Sequence, residues 1–236
     1  MDIRPSISAT SCTTAFLFGT IAAAQSVAPP PVDVPAVLAT VAPTQNPGEK
    51  QPAISAPTLL EDLQSSFIWS ENAKSLAELF ATKADSEGFL NAGSFFRAAT
   101  RSLNILAAQY SESVKKLGGT PAAKADELPP VVKTTKENLQ VFSNLLTTRR
   151  TGALSDASTR HRTGPNREAT KTLHYEREAL TELARFSSDA AESLDKLKGA
   201  KKDFFISRPC GFVTDKLVAS KCPVCKTGKD QFEKIN

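Results

Sequence analysis

The chain has 236 residues, of which 40% are hydrophobic and 23% charged, and its formal net charge is +4. That length suits one bundle-sized domain with a small appendage. The mild positive balance, without a dense cationic stripe or many aromatic residues, argues against nucleic acid as a partner, and no apolar run is long enough for a membrane span.

The N-terminus differs in character from the rest. The stretch "TTAFLFGTIAAAQSVA" is an apolar patch followed by small residues, the layout of a signal-peptide core with a cleavage site near Ala24. Few acids and many Ser, Thr and Ala fit an organellar transit peptide instead. A plain structural tail is the third reading, and the sequence leaves all three open, with an organelle slightly favoured over a secreted or cytoplasmic location. The segments "APPPVDVPAV" and "TQNPGEKQPAISAP" then fix an extended backbone, because proline restrains its own φ and pushes the residue before it out of the helical region. Residues 1–57 are therefore a targeting segment, an extended arm, or both. Such an arm suits wrapping a neighbouring subunit.

Helices follow. In "PTLLEDLQ", Thr58 and Glu61 have capping-box spacing ahead of an apolar run. The first helix continues to about Ala84 on Leu60, Leu63, Phe67, Leu76 and Phe80. "DSEGF" breaks it. The second runs from Leu90 with Phe96, Ala99, Leu103, Leu106, Tyr110 and Val114 on one stripe, and Gly118-Gly119 ends it. The third is expected from Pro130 to Thr148 with Val132, Thr135, Leu139, Phe142 and Leu146 inward. "RRTGALSDASTRHRTGPN" reads as a basic polar loop without apolar periodicity. Arg149, Arg150, Arg160, Arg162 and Arg167 give it a local positive patch, a solvated surface or a peripheral contact for an acidic partner or lipid headgroups. The fourth helix is expected from Asn166 to Lys198, with Tyr175, Ala179, Leu183, Phe186, Ala190 and Leu194 on its stripe and Gly199 at its end. Glu176, Glu178 and Glu182 read as its solvated face, and Trp69 as a core or interface residue. Residues 58–200 thus form an antiparallel four-helix bundle.

The tail, residues 203–236, is short, glycine-punctuated and β-leaning. Cys210-Gly211 and Cys222-Pro223-Val224-Cys225 are knuckle elements, turns that aim thiolates and backbone N–H groups at one metal. Ser207 stands three residues before Cys210, where a second Cys-x-x-Cys would begin. A hydroxyl is a poor substitute for thiolate toward zinc or iron. Cys210, Cys222 and Cys225 can hold zinc or iron weakly, pack as a metal-free remnant, or use a Cys222–Cys225 disulfide.

In this order, and with "FATKADSEGFLNAGSFFRAA" at the first helix turn and "KCPVCKTGKDQFEKI" at the C-terminus, the chain resembles the rubrerythrin family over about three quarters of its length. The resemblance implies a mainly α fold: a ferritin-like bundle followed by a small rubredoxin-like β/knuckle domain. It also implies a diiron centre that reduces peroxide, held by glutamates and Glu-x-x-His pairs on the bundle helices. Carried over position by position, those ligands fall on Ser70, on Leu103 and Leu106, near Lys133 and Thr135, and near Tyr175 and Glu178. Glu178 alone among these could serve, and no Glu-x-x-His occurs in the chain. The expectation is a degenerate member with no cofactor in its bundle and no catalytic residues, kept as a structural or accessory subunit of a larger assembly. Its partners would be other protein subunits met through the arm and the bundle surface, and family habit adds a homodimer. Two alternatives stand beside it: a divergent peroxide reductase or iron-binding electron-transfer protein, and a zinc or redox module acting through the cysteines.

Overall fold

A computed structural model describes residues 57–122, 134–194, 198–218 and 220–236. The expectations for the N-terminal segment as far as residue 56 fall outside these residues. Helix α1 (Leu59–Ser86) starts where the capping box places it: the Glu61 carboxylate accepts from the Thr58 amide at 2.7 Å, and the Thr58 hydroxyl accepts from the Glu61 amide at 3.3 Å. A three-residue turn leads into α2 (Leu90–Lys116), with Gly88 in the left-handed region at φ +80°. Helix α2 ends as expected: Gly118 also takes φ +80°, and the Gly119 amide bonds the Val114 carbonyl at 3.0 Å.

Helix α3 (Thr135–Thr151) begins later than the Pro130 of the sequence reading. Residues 123–133 lie outside the described set. The helix is capped by a second Thr-x-x-Glu box, Thr134 with Glu137. Glu87 adds a third partner. Its carboxylate, in the α1–α2 turn, accepts from both the Thr135 amide (2.8 Å) and the Thr135 hydroxyl (2.7 Å). One side chain thus joins the end of α1 to the start of α3.

The expected basic loop contains a helix, α4 (Ala153–His161). It buries just Leu154 and Ala157, and two apolar residues three apart are too few to register as a periodicity. What holds it is polar. Asp62 of α1 accepts from Arg160 at 2.7 and 3.1 Å and lies 2.7 Å from His161 Nε2. Helix α5 (Arg167–Glu192) stops at a Ser193 cap, short of the expected Lys198.

Helices α1, α2, α3 and α5 make the four-helix bundle. Its centre is aromatic: Phe96 meets Phe80 at 5.4 Å, Phe95 at 5.3 Å and Phe142 at 5.6 Å between ring centroids. After α5 come three short antiparallel strands, β1 (Phe204–Ser207), β2 (Val213–Thr214) and β3 (Phe232–Ile235), in the order β2-β1-β3. Phe204 of β1 reaches Phe95 (6.0 Å) and Phe186 (5.5 Å), so the sheet shares the bundle's core. Bundle and sheet form one compact unit, Ile54–Asn236. Among the described residues no helix is long and apolar enough to cross a membrane.

The Glu87 link gives a pH-dependent prediction. The Thr135 hydroxyl, helped by Lys83 and the Thr135 amide against the opposing effect of burial, holds the Glu87 carboxyl at about 2, below its ordinary 4.5. A carboxyl depressed in the folded state stabilises above its unfolded value and loses that contribution as pH falls toward the folded one. Glu87→Ala is therefore expected to cost about 1–2 kcal/mol at neutral pH, and parent and variant should converge near pH 2 in denaturant melts followed by circular dichroism. A gap that persists unchanged in acid would show the link is not ionic.

Candidate metal centre

The sheet positions two turns built to one plan. After β1, the Ser207 carbonyl accepts the Gly211 amide at 2.8 Å, and the turn carries Cys210. Further on, the Cys222 carbonyl accepts the Lys226 amide at 3.1 Å, and that turn carries Cys225. In each, the residue after the second ligand position is left-handed: Gly211 at φ +73° and Lys226 at φ +64°. Lys226 is the one non-glycine with positive φ among the described residues, a conformation that costs roughly 1–2 kcal/mol. Its ammonium donates to the Pro223 carbonyl at 2.6 Å, within the same turn. Ser207 therefore occupies the first position of an intact knuckle.

The three thiols converge. Their sulfurs all lie within 4.8 Å of one another, and Cys210 and Cys222 Sγ are 3.7 Å apart. Ser207 Oγ sits 3.3 Å from Cys210 Sγ and 3.4 Å from Cys225 Sγ. A tetrahedron with Zn–S bonds near 2.3 Å has edges of roughly 3.8 Å, so three thiols and one hydroxyl already span a polyhedron of about that size. Among the described residues this is the one cluster of three or more cysteine, histidine or acidic side chains close enough to hold a metal.

The thiols are not equivalent. Burial pushes the Cys210 thiol well above its usual range, and hydrogen bonding from Ser207 and the Phe212 amide does not offset it. Cys225 is half-buried. Burial would raise it too, but hydrogen bonds from Ser207 and from the Thr227 hydroxyl and amide outweigh that and bring it down to about 7. Cys225 also lines a cavity of about 680 Å³ between α2, the start of α5 and the knuckles.

The knuckles rest on α2. The Ser102 hydroxyl donates to the Gly211 carbonyl at 2.6 Å, Gln109 Nε2 to the Pro209 carbonyl at 2.5 Å, and Arg101 pairs with Glu233 at 2.8 Å. A Cβ on Gly211 would lie 3.1 Å from the Ser102 carbonyl and 3.4 Å from Leu106. Glycine here serves both the left-handed turn and the close approach of the helix.

Inside the bundle, the residues singled out from sequence part company. Ser70, Leu103 and Leu106 are fully buried, and the Ser70 hydroxyl has no hydrogen-bond partner. Thr135 does not join them. It opens α3 beside the α1–α2 turn, whereas Ser70 and Leu106 lie sixteen residues from that turn, about 24 Å along their helices at 1.5 Å per residue. Tyr175 faces the Cys225 cavity beneath the Lys171 ammonium. Glu178 lies on the surface with Arg177 and His174.

The buried acid is Glu176, two residues away and roughly 200° around the helix from Glu178. Glu176 is not on a solvated face, as the sequence reading had it. Its carboxylate accepts from Arg149 Nε at 3.0 Å and from the Tyr110 hydroxyl. Arg149 also donates to Ser66 Oγ at 2.5 Å, and its guanidinium lies over the Trp69 ring. Burial and the Glu176 charge raise Tyr110 well above its usual range, so it remains a neutral donor. The signal was present in the sequence: Leu173, Glu176, Leu180 and Leu183 fall at helical spacing on one stripe.

Solved structures of nigerythrin share the fold of this chain. The partially reduced state matches with a TM-score of 0.68 at 18% identity, over 79% of this chain and 90% of that one. The fully reduced, all-ferrous state gives a TM-score of 0.68 at 19% identity over 78% and 90%, and the mixed-valence state 0.62 at 18% over 79% and 90%. The shared feature is the fold: a ferritin-like bundle followed by a rubredoxin-like domain. No protein-family profile matches the sequence, and no curated protein sequence does.

Removing one partner of a buried ion pair leaves an uncompensated charge, which costs about 3–5 kcal/mol. Glu176→Ala should lose stability on that scale in urea unfolding. Arg149→Met combined with Glu176→Leu should recover most of it. A single variant as stable as the parent would contradict the buried pairing.

Proposed function

We propose that this chain is a rubrerythrin-like protein whose bundle works without a diiron centre, as a scaffold within a larger assembly, and whose metal site is the Ser207, Cys210, Cys222, Cys225 cluster. The observation that carries the reading is the donor inventory of the bundle interior. A two-iron centre in this fold draws four to six carboxylate and imidazole donors inward. Ser70, Leu103 and Leu106 offer one hydroxyl and two isobutyl groups. Among the described residues the buried carboxylates are Asp62 and Glu176. Asp62 is held by Arg160 and His161, and Glu176 by Arg149 and Tyr110. A guanidinium beside Glu176 repels a second cation at the depth where iron would sit. These residues do not fit a diiron group.

The knuckles do fit one ion. Cys210, Cys222 and Cys225 would hold zinc or iron, with Ser207 or a water completing four-coordination. A bound ion would supply local folding free energy, or a redox centre if it is iron. The redox alternative draws support from nigerythrin, which is known in reduced, all-ferrous and mixed-valence states.

Metal analysis of the purified chain separates these readings. The expected content is about one zinc or iron per chain. About two further irons together with peroxide turnover would overturn the scaffold reading. Cobalt titration should give thiolate-to-metal absorption that Cys222→Ser abolishes. Restoring the fourth thiol with Ser207→Cys should tighten binding at least tenfold. Leu103→Glu with Leu106→His should destabilise the metal-free chain by several kcal/mol, since unpaired polar groups would be buried. Undiminished stability would place those positions outside the core.

A further inference from the structure

Helix α4, which the sequence does not announce, closes a second cavity against the first three turns of α5. Its volume is about 350 Å³. Arg162, Arg167, Lys171, His174 and Arg177 line it, together with four hydroxyl side chains, among them Ser158 and Thr170. Among the described residues no carboxylate lines it.

This concentration of charge is not balanced within the cavity, whereas several other arginines are paired. Arg97, Arg101, Arg149, Arg160 and Arg185 each hold a carboxylate within hydrogen-bond distance. Among the described residues, Arg162 and Arg167 hold none. Arg177 shares Glu178 on the outer side and meets His174 Nδ1 at 3.2 Å. Lys171 lies over the Tyr175 ring, with Glu168 acting on it from the neighbouring cavity. Like charges gathered in a concave site repel one another, and the concavity concentrates their field.

We propose that this cavity binds a phosphate group. Guanidinium forks match phosphate oxygens in pairs, and the hydroxyls supply the remaining donors. A carboxylate ligand would use fewer of these groups, and a cation would be repelled. The shared chemistry is the phosphate itself, on a soluble molecule or on a lipid headgroup. The site is independent of the metal centre and stands or falls apart from it. Arg167 and Lys171 also line the cavity over Cys225, so an anion bound between α4 and α5 sits next to the route to that half-buried thiol.

The test uses the full chain. Thermal melts with sodium phosphate or pyrophosphate, compared with sodium chloride at equal ionic strength, should show a saturable rise in melting temperature. Arg162→Ala with Arg167→Ala should weaken that response at least tenfold while leaving the helical circular dichroism unchanged. If the double variant does not fold, Arg167→Gln alone should weaken it measurably. Co-sedimentation with vesicles containing phosphatidic acid, lost in the variant, would assign the group to a lipid headgroup. A saturable pyrophosphate response without vesicle binding would assign it to a soluble ligand. No response beyond matched chloride and no vesicle binding, or a response equal in parent and variant, overturns the proposal.

Discussion

A carboxylate with no solvent contact at the centre of a helical bundle is stable only if other groups replace its water. Glu176 meets that requirement with one group from each remaining long helix. Arg149 comes from α3 and Tyr110 from α2, while Ser66 of α1 is tied in through the Arg149 guanidinium. All four helices are therefore fixed at one level along the bundle axis. Apolar stripes alone would tolerate slippage by a turn, because leucines and alanines repeat along each stripe. A bidentate pair and a hydroxyl do not. The desolvation such a pair requires makes it a poor source of net stability. Its contribution here is register, and register is what brings Phe80, Phe95, Phe96 and Phe142 into mutual edge-to-face contact.

That same arrangement constrains chemistry. A bundle can gather carboxylates around cations, or it can spend its one central carboxylate on an arginine. The second choice leaves the space neutralised and filled. Leu103 and Leu106 complete it, each contributing roughly 1.5–3 kcal/mol by burial. Among the described residues the cluster that could hold a metal lies in the appended sheet, where two turns hold three thiols without drawing on bundle side chains.

The sequence was legible where one pattern decided the outcome. The Thr58–Glu61 box, the glycine stop at Gly118 and the cysteine turns all appear where their residue types require. It was illegible where partners are distant in the chain. The start of α3 is a separate case: Thr134 and Glu137 have capping-box spacing, but Pro130 also suits a first helical turn. Helix α4 carries just Leu154 and Ala157 as apolar anchors, and Asp62, which holds it, lies 98 residues before Arg160. Glu176 sits on its apolar stripe in plain view, but no local rule tells a buried acid from an exposed one. Its partner Arg149 looked like part of a surface patch, and with Arg160 also engaged by Asp62, that patch does not exist as read. The basic surface that does exist gathers around Arg162, Arg167 and Lys171.

The remaining question is why the knuckles sit where they do. Gly211 presses against Ser102 and Leu106 at a distance that a side chain on residue 211 would occupy. Ser102 supplies the hydrogen bond and Leu106 the apolar floor. Leu106 therefore faces two ways in the structural argument: it fills the bundle, and it seats the turn that carries Cys210. A charged or imidazole side chain aimed into the bundle from position 106 could not also offer that floor without burying a polar group against the turn. The apolar filling of the helices and the close seating of the cysteine turns are thus linked through one residue. The leucine that fills the bundle at this level is also what lets the thiol cluster rest directly on it.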